Sequence, residues 1–151
     1  MEHLELTRGD YSISTDTDKL NISFIHHFLS VESGWSRGIP LDKVEKAIKN
    51  SLNFGLFHHE QQIGYARVIS DYSTIAYLGD VFIDTQFRRL GLSNWLMEVI
   101  MNHHDLQQLR RWILLSSTAP WLYEKYGFTP LANPKVYMEK VDLNVYQPIV
   151  E

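Results

Sequence analysis

The residues whose types and spacing point most directly to chemistry lie in one turn, Gln86-Phe87-Arg88-Arg89-Leu90-Gly91-Leu92-Ser93. The run before it, Tyr77 to Ile83, is rich in aromatic and β-branched residues and has the length of a buried strand. After it, Leu92, Trp95, Leu96, Val99, Ile100 and His103 recur on a 3.6-residue period, which predicts a helix over 92–104 with one apolar face. A strand that feeds a helix through such a turn leaves main-chain N–H groups without intrahelical partners, all pointing out of the helix end. The helix dipole adds about half a positive charge there. Gly91 and Ser93 are small enough to let a phosphate approach the backbone, and Arg88 and Arg89 supply charge, so the turn reads as an anion site. Ordinary capping also places a Gly and basic residues at helix starts. The spacing matches neither G-x-G-x-x-G nor G-x-x-x-x-G-K-[ST], which disfavours dinucleotides and nucleoside triphosphates.

The elements that must position this turn follow from patterning. Tyr11 to Ser14 alternates like an edge strand, and Asp16 or Asp18 is placed to cap a helix over Lys19 to Glu32. Residues 33–39 form a loop, and Pro40 opens a helix from Leu41 to Leu52 with Leu41, Val44, Ile48 and Leu52 inward. Phe54 to His58 and Gln62 to Ile69 read as a hairpin, followed by the central strand. Beyond the helix, Arg111 to Ser116 is a buried strand, Trp121 to Tyr126 a short helix stopped by Gly127, and Phe128 to Leu131 and Val136 to Val141 are closing strands around Asn133-Pro134.

With 151 residues, 44% of them hydrophobic, the chain is long enough for one domain with a closed core, taken as 1–151. A formal charge of −4 disfavours nucleic acid as the main partner, although Arg88-Arg89 and Arg110-Arg111 cluster. The chain has no cysteine, hence no disulfide, no thiolate zinc site and no cysteine nucleophile. No apolar run approaches the roughly 20 residues of a membrane span, and the start lacks a signal-peptide core, so a cytoplasmic location is expected. Three histidine doublets, His26-His27, His58-His59 and His103-His104, suggest metal ligands at first glance. Adjacent residues diverge on helices and face opposite ways on strands, so no doublet chelates by itself, and no metal is expected.

Two motifs carry a family resemblance. Arg88-x-x-Gly91-x-Ser93 resembles the acetyl-CoA signature R/Q-x-x-G-x-G/A of the GNAT-superfamily N-acetyltransferases, with Ser where the pattern ends in Gly or Ala. Leu122-Tyr123-Glu124-Lys125-Tyr126-Gly127-Phe128 is similar to that family's late L-Y-E-K-x-G-F segment, and the two stand in the family's order and at about its separation. The resemblance covers about Tyr11 to Val141 and implies an α/β fold: a mixed sheet of six or seven strands with a splayed central parallel pair, flanked by about four helices. It implies acetyl-CoA as cosubstrate, main-chain groups of Val81 and Ile83 for the pantetheine arm, and the amides around Arg88, Arg89, Gly91 and Ser93 for the pyrophosphate. The reaction implied is direct attack of a primary amine of a small molecule or peptide on the thioester, through a tetrahedral intermediate. The amine must lose a proton and the departing thiolate benefits from gaining one. Tyr123 matches the family's thiol-protonating tyrosine. Asp80 on the central strand is the candidate base, with a purely structural hydrogen-bond role as its alternative. Trp35 and Arg37 lie in the loop where the family often contacts its acceptor, Arg37 being suited to a carboxylate, against a reading as a solvated loop with one packed Trp. A non-catalytic acyl-CoA-binding or regulatory domain of the same fold is the competing expectation, and a homodimer is compatible with either.

Overall fold

The computed structural model describes residues 2–146. Six strands form one sheet in chain order: β1 (Glu5–Arg8), β2 (Tyr11–Ser14), β3 (Leu52–His58), β4 (Gln61–Ser70), β5 (Ile75–Ile83) and β6 (Arg111–Leu114). The first five are antiparallel neighbours and only β5 and β6 run parallel. Four α-helices flank the sheet: α1 (Ile22–His27), α2 (Leu41–Lys49), α3 (Leu92–Met101) and α4 (Pro120–Glu124). None is long and apolar enough to cross a membrane.

Strand alternation assigns the helices to two faces. On β4, Tyr65 points into a cluster with Ile25, Phe28 and Leu29 of the first helical segment and Val44 and Ile48 of α2. Its neighbour Ala66 points into the other cluster, with Leu96, Met97 and Ile100 of α3. A two-residue period therefore builds a three-layer domain, with each helix burying its apolar stripe on one side of the sheet.

The sequence expectations hold for the hairpin β3–β4, the central strand and α3, and fail at both ends of the chain. The opening through Asp10 reads as polar and loop-like, yet Glu5–Arg8 forms β1, paired to β2 through the two-residue turn Gly9-Asp10. All four β1 residues are exposed, so no burial pattern announces the strand. The helix expected from Lys19 starts at Ile22, capped by Asn21, whose side chain accepts from the Phe24 N–H; Asp16 caps only a single 3-10 turn, Thr17–Lys19. After His27 the helix widens into a π-helical turn, Phe28–Glu32. The closing strands at 128–131 and 136–141 do not form. Pro130 removes a ladder donor from the first segment. Phe128 packs edge-on against Trp112 and Tyr123 as a core plug. In the second, Val136 and Tyr137 are tied into a 3-10 turn by N–H bonds back to Asn133 and Pro134, and Met138 stands exposed. Its β-propensity finds no strand edge in register, and propensity without a packing partner decides little.

The feature that positions the site is the parallel pair. β6 accompanies β5 only from Ile75–Arg111 to Leu78–Leu114, while β5 continues to Ile83. From Gly79 onward the β5 edge on that side has no strand beside it among the described residues. Because the two strands run in the same direction, the α3 N-terminus after β5 and the loop into α4 after β6 leave from the same end of the sheet as this open edge.

Candidate active site

Asp80 sits in a β-bulge. Tyr65 pairs with Phe82 and Arg67 with Gly79, so two residues of β5, Asp80 and Val81, face Ala66 alone. Asp80 takes φ of 54°, a left-handed conformation that costs a non-glycine residue about 1 kcal/mol. The kink aims its carboxylate at two donors. Arg67 Nε donates to Oδ2 at 2.9 Å and the Trp35 indole N–H to Oδ1 at 3.2 Å, while Arg67 also donates to Ser51 Oγ at 3.2 Å. The two charged side chains are only 18% and 12% exposed, for Arg67 and Asp80 respectively. Together with Lys43, Tyr65 and Tyr146 they line a cavity of about 100 Å³ between the sheet and the first two helices. Lys43 Nζ lies 5.9 Å over the Tyr146 ring.

Beneath this cluster the helices hold the loop in place. Phe28 stacks on Phe82 at 3.7 Å and 8°, and the Trp35 ring tilts against Phe28 at 6.0 Å. Trp35 remains 57% exposed although its N–H is bound, so one face of the indole is open to a ligand. Arg37, in the same loop, is exposed and has no side-chain partner among the described residues.

On the other side of β5 lies the basic turn. Asp84 caps the short turn Thr85–Phe87 by accepting from the Gln86 N–H. Arg89 (φ 66°) and Gly91 (φ 77°) are both left-handed, which directs successive amides to one side. Gly91 is the N-cap of α3, and the first helical bond is Trp95 N–H to Gly91 O; the N–H groups of Leu92, Ser93 and Asn94 have no partner among the described residues. A Cβ built on Gly91 meets nothing within 4 Å, so the space in front of these amides is open. Arg88 folds back, donating from Nε to the Ile83 carbonyl at 3.0 Å. That contact shows the Ile83 carbonyl facing the open edge. Asp84 N–H, one residue on, bonds to Ile63 of β4 at 2.7 Å, as strand alternation requires. Val81 lies two residues back, as the second residue of the bulge.

Tyr123 stands on α4, half-buried against the α3-side core, its ring edge-on to Phe128 at 6.2 Å. Burial pushes its phenol above the ordinary value. Its hydroxyl has no hydrogen-bond partner among the described residues, whereas Tyr126, three residues on, donates to the Asn94 carbonyl at 2.8 Å and ties α4 to the start of α3.

The site residues thus fall on two sides of one strand. Asp80, Trp35 and Arg37 lie toward α1 and α2; Ile83, Arg88, Arg89, Gly91, Ser93 and Tyr123 lie toward the open edge and α3. Sequence reasoning missed Arg67, Lys43 and Ser51. Arg67 did leave a trace, as the one charged residue inside the otherwise uncharged run Gln62 to Ile69.

A sheet that opens at a parallel pair, with a helix N-terminus delivered to the opening, is the arrangement of the acetyltransferase family the motifs resemble, and comparisons with known proteins agree. The family described as Acetyltransferase (GNAT) domain matches residues 27–147. A candidate acetyltransferase from Gibberella zeae is 30% identical over 141 residues, covering 79% of this chain and 78% of that protein. The crystal structure of a candidate acetyltransferase of the GNAT family from Xanthomonas campestris pv. campestris superposes with a TM-score of 0.89 at 46% identity, over 91% of this chain and 97% of that one. A structure of a Clostridium acetobutylicum candidate acetyltransferase with acetyl-CoA shares the fold, with a TM-score of 0.65 at 16% identity over 87% of this chain and 94% of that one. The chain belongs to the GNAT acetyltransferase family.

Proposed function

We propose that this chain transfers the acetyl group of acetyl-CoA to a primary amine of a small molecule or peptide. The observation that carries the reading is the coincidence, at one end of the parallel pair, of an unpaired strand edge and unpartnered helix-start amides with clear space before them. A linear ligand with an amide-bearing arm and a pyrophosphate uses both at once, because its arm completes the strand edge while its anion takes the amides. Arg89, whose side chain has no partner among the described residues, adds charge to the pyrophosphate. Arg88 holds the Ile83 carbonyl until its guanidinium turns out to a phosphate, which releases that carbonyl and the edge beside Val81 to the arm. Ser93 stands in the first turn of α3 and offers its hydroxyl to the same anion.

When bound, the cosubstrate supplies an activated acyl carbon next to the bulge. The amine nitrogen forms the new C–N bond there as the C–S bond breaks, the nitrogen proton leaving and the sulfur needing one. Asp80 accepts the amine proton through a water, its carboxylate held by Arg67 and Trp35. Tyr123 carries its proton at neutral pH as an ordinary phenol does, and burial opposes the phenolate further, so it remains a donor to the departing sulfur. The cavity at Asp80, lined also by Ser36 and Lys43, receives the acceptor, and Arg37, next in sequence to Ser36, attracts an anionic group on it. The experiment is thiol release from acetyl-CoA with a panel of primary amines, together with mass detection of the acetylated amine. Binding of acetyl-CoA with no transfer to any amine would favour an acyl-CoA-binding domain instead.

A further inference from the structure

We propose that Asp10, His58 and His59 form a surface site for a borderline divalent cation, with Zn²⁺ as its representative. One ligand atom from each residue lies within 4.8 Å of the other two, and this is the one such group of three or more His, Cys, Asp or Glu side chains among the described residues. Sequence logic excludes chelation by an adjacent His pair on a regular strand, since the two rings face opposite ways. The backbone removes that obstacle. His58 is the last residue of β3, and His59 takes the turn to β4 with φ of 54°, left-handed, so the chain reverses between the two rings. Their centroids then stand 4.4 Å apart at 55°.

The third ligand comes from the neighbouring turn. Tyr11 pairs with His58 across the β2–β3 ladder, and the His59 N–H donates to the Asp10 carbonyl at 2.9 Å, so two strand turns are tied side by side. The site's backbone is therefore fixed before any ion arrives. The His58 ring plane is held as well, by Tyr11 at 5.0 Å and Phe87 at 5.3 Å. No side-chain hydrogen bond or ion pair engages Asp10, His58 or His59 among the described residues. Arg8, the nearest cation in sequence to Asp10, is committed elsewhere: it bonds Glu98 at 3.1 Å and covers the Trp95 ring at 5.1 Å.

Two imidazole nitrogens and one carboxylate oxygen suit zinc, nickel and copper, and suit magnesium and calcium poorly, because those ions prefer all-oxygen shells. With zinc–nitrogen distances of about 2.0–2.1 Å the three atoms must come to roughly 3.3 Å from one another, a movement of up to about 1.5 Å. Side-chain rotation at the exposed Asp10 and His59 supplies that. The remaining positions are open to water, as in any three-ligand zinc site.

The test is calorimetric titration of the untagged, chelator-stripped protein with zinc chloride. Saturable one-to-one binding is expected, weakened about 10- to 100-fold in Asp10→Asn and in His59→Ala, with magnesium giving no heat. Both substitutions are at exposed turn positions, and circular dichroism checks that the fold is retained. His27→Ala, on the far face, is expected to bind like the wild type. The proposal is overturned by absence of saturable zinc binding in the wild-type protein, or by unchanged affinity in the two folded variants.

Discussion

Arg67 and Asp80 meet across the β4–β5 bulge, Nε to Oδ2 at 2.9 Å, and both are largely withdrawn from water. A pair this buried is a weak source of stability relative to an apolar substitute, but leaving one partner alone is costly. Arg67→Met strands a carboxylate, and is expected to lower stability by about 3 kcal/mol, whereas Arg67→Met combined with Asp80→Asn is expected to recover part of that loss. Denaturant unfolding of the two single variants and the double variant measures this, and a double-variant loss equal to the sum of the two single losses would show the pair to be uncoupled.

Asp80→Asn alone separates catalysis from structure. With Asp80 as proton acceptor, turnover of the folded variant drops about 100-fold while acetyl-CoA affinity stays within a factor of about two. Full turnover in a destabilised but folded Asp80→Asn protein would assign the carboxylate to holding Arg67 and Trp35.

Tyr123 and Tyr126 form a matched pair for testing the proton donor. Tyr123→Phe keeps the ring against Phe128 and removes the hydroxyl, and is expected to cut turnover about 100-fold without changing cosubstrate binding. Tyr126→Phe breaks the bond to the Asn94 carbonyl and is expected to cost about 1 kcal/mol of stability with turnover retained. Reversal of those two phenotypes in steady-state rates and melting would move the acid role to Tyr126.

Alkaline unfolding follows from the buried phenols. Tyr65 donates to Asn53 inside the α1–α2 face, and burial pushes its phenol far above the ordinary value; Tyr77 and Tyr123 are raised for the same reason. In the unfolded chain these groups lose protons near pH 10. Above that value the unfolded state binds fewer protons than the native one, so their stabilising contribution is full below about pH 10 and declines as pH rises toward the native values. Denaturation midpoints from pH 8 upward, at steps of about half a unit, are expected to fall beyond pH 10 and to fall less steeply in Tyr65→Phe. Identical slopes for the two proteins would contradict this.

The sequence made the centre of the molecule legible and left the edges obscure, and the reasons are physical. Leu92, Trp95, Leu96, Val99 and Ile100 carry a helix period because that face is buried, and the β3–β4 hairpin and central strand carry apolar runs because both their faces are covered. Glu5–Arg8 is held by ladder bonds and by polar contacts of Glu5 and Arg8, and leaves no hydrophobic trace, while Val136 to Val141 has a strand's composition without a neighbouring edge. At the site, Gly91 and Asp80 were visible as residue types. The left-handed turn at Asp80, the Arg67 pairing and the approach of Asp10 to His58 and His59 depend on register between strands distant in sequence, which no local pattern encodes.

The central claim, that the Arg88 to Ser93 turn holds acetyl-CoA, is tested most directly by calorimetric titration of acetyl-CoA into the wild-type protein and Gly91→Asp. Gly91 has φ of 77° with open space at its Cβ position, and Asp tolerates left-handed backbone better than most residues, so the variant is expected to fold with a loss of about 1 kcal/mol. Its carboxylate then stands in front of the free amides of Leu92, Ser93 and Asn94 and repels the pyrophosphate. One-to-one binding by the wild type and loss of affinity by at least about 100-fold, or 2.7 kcal/mol, in the folded variant is the predicted result. Equal affinity in the two proteins would contradict it.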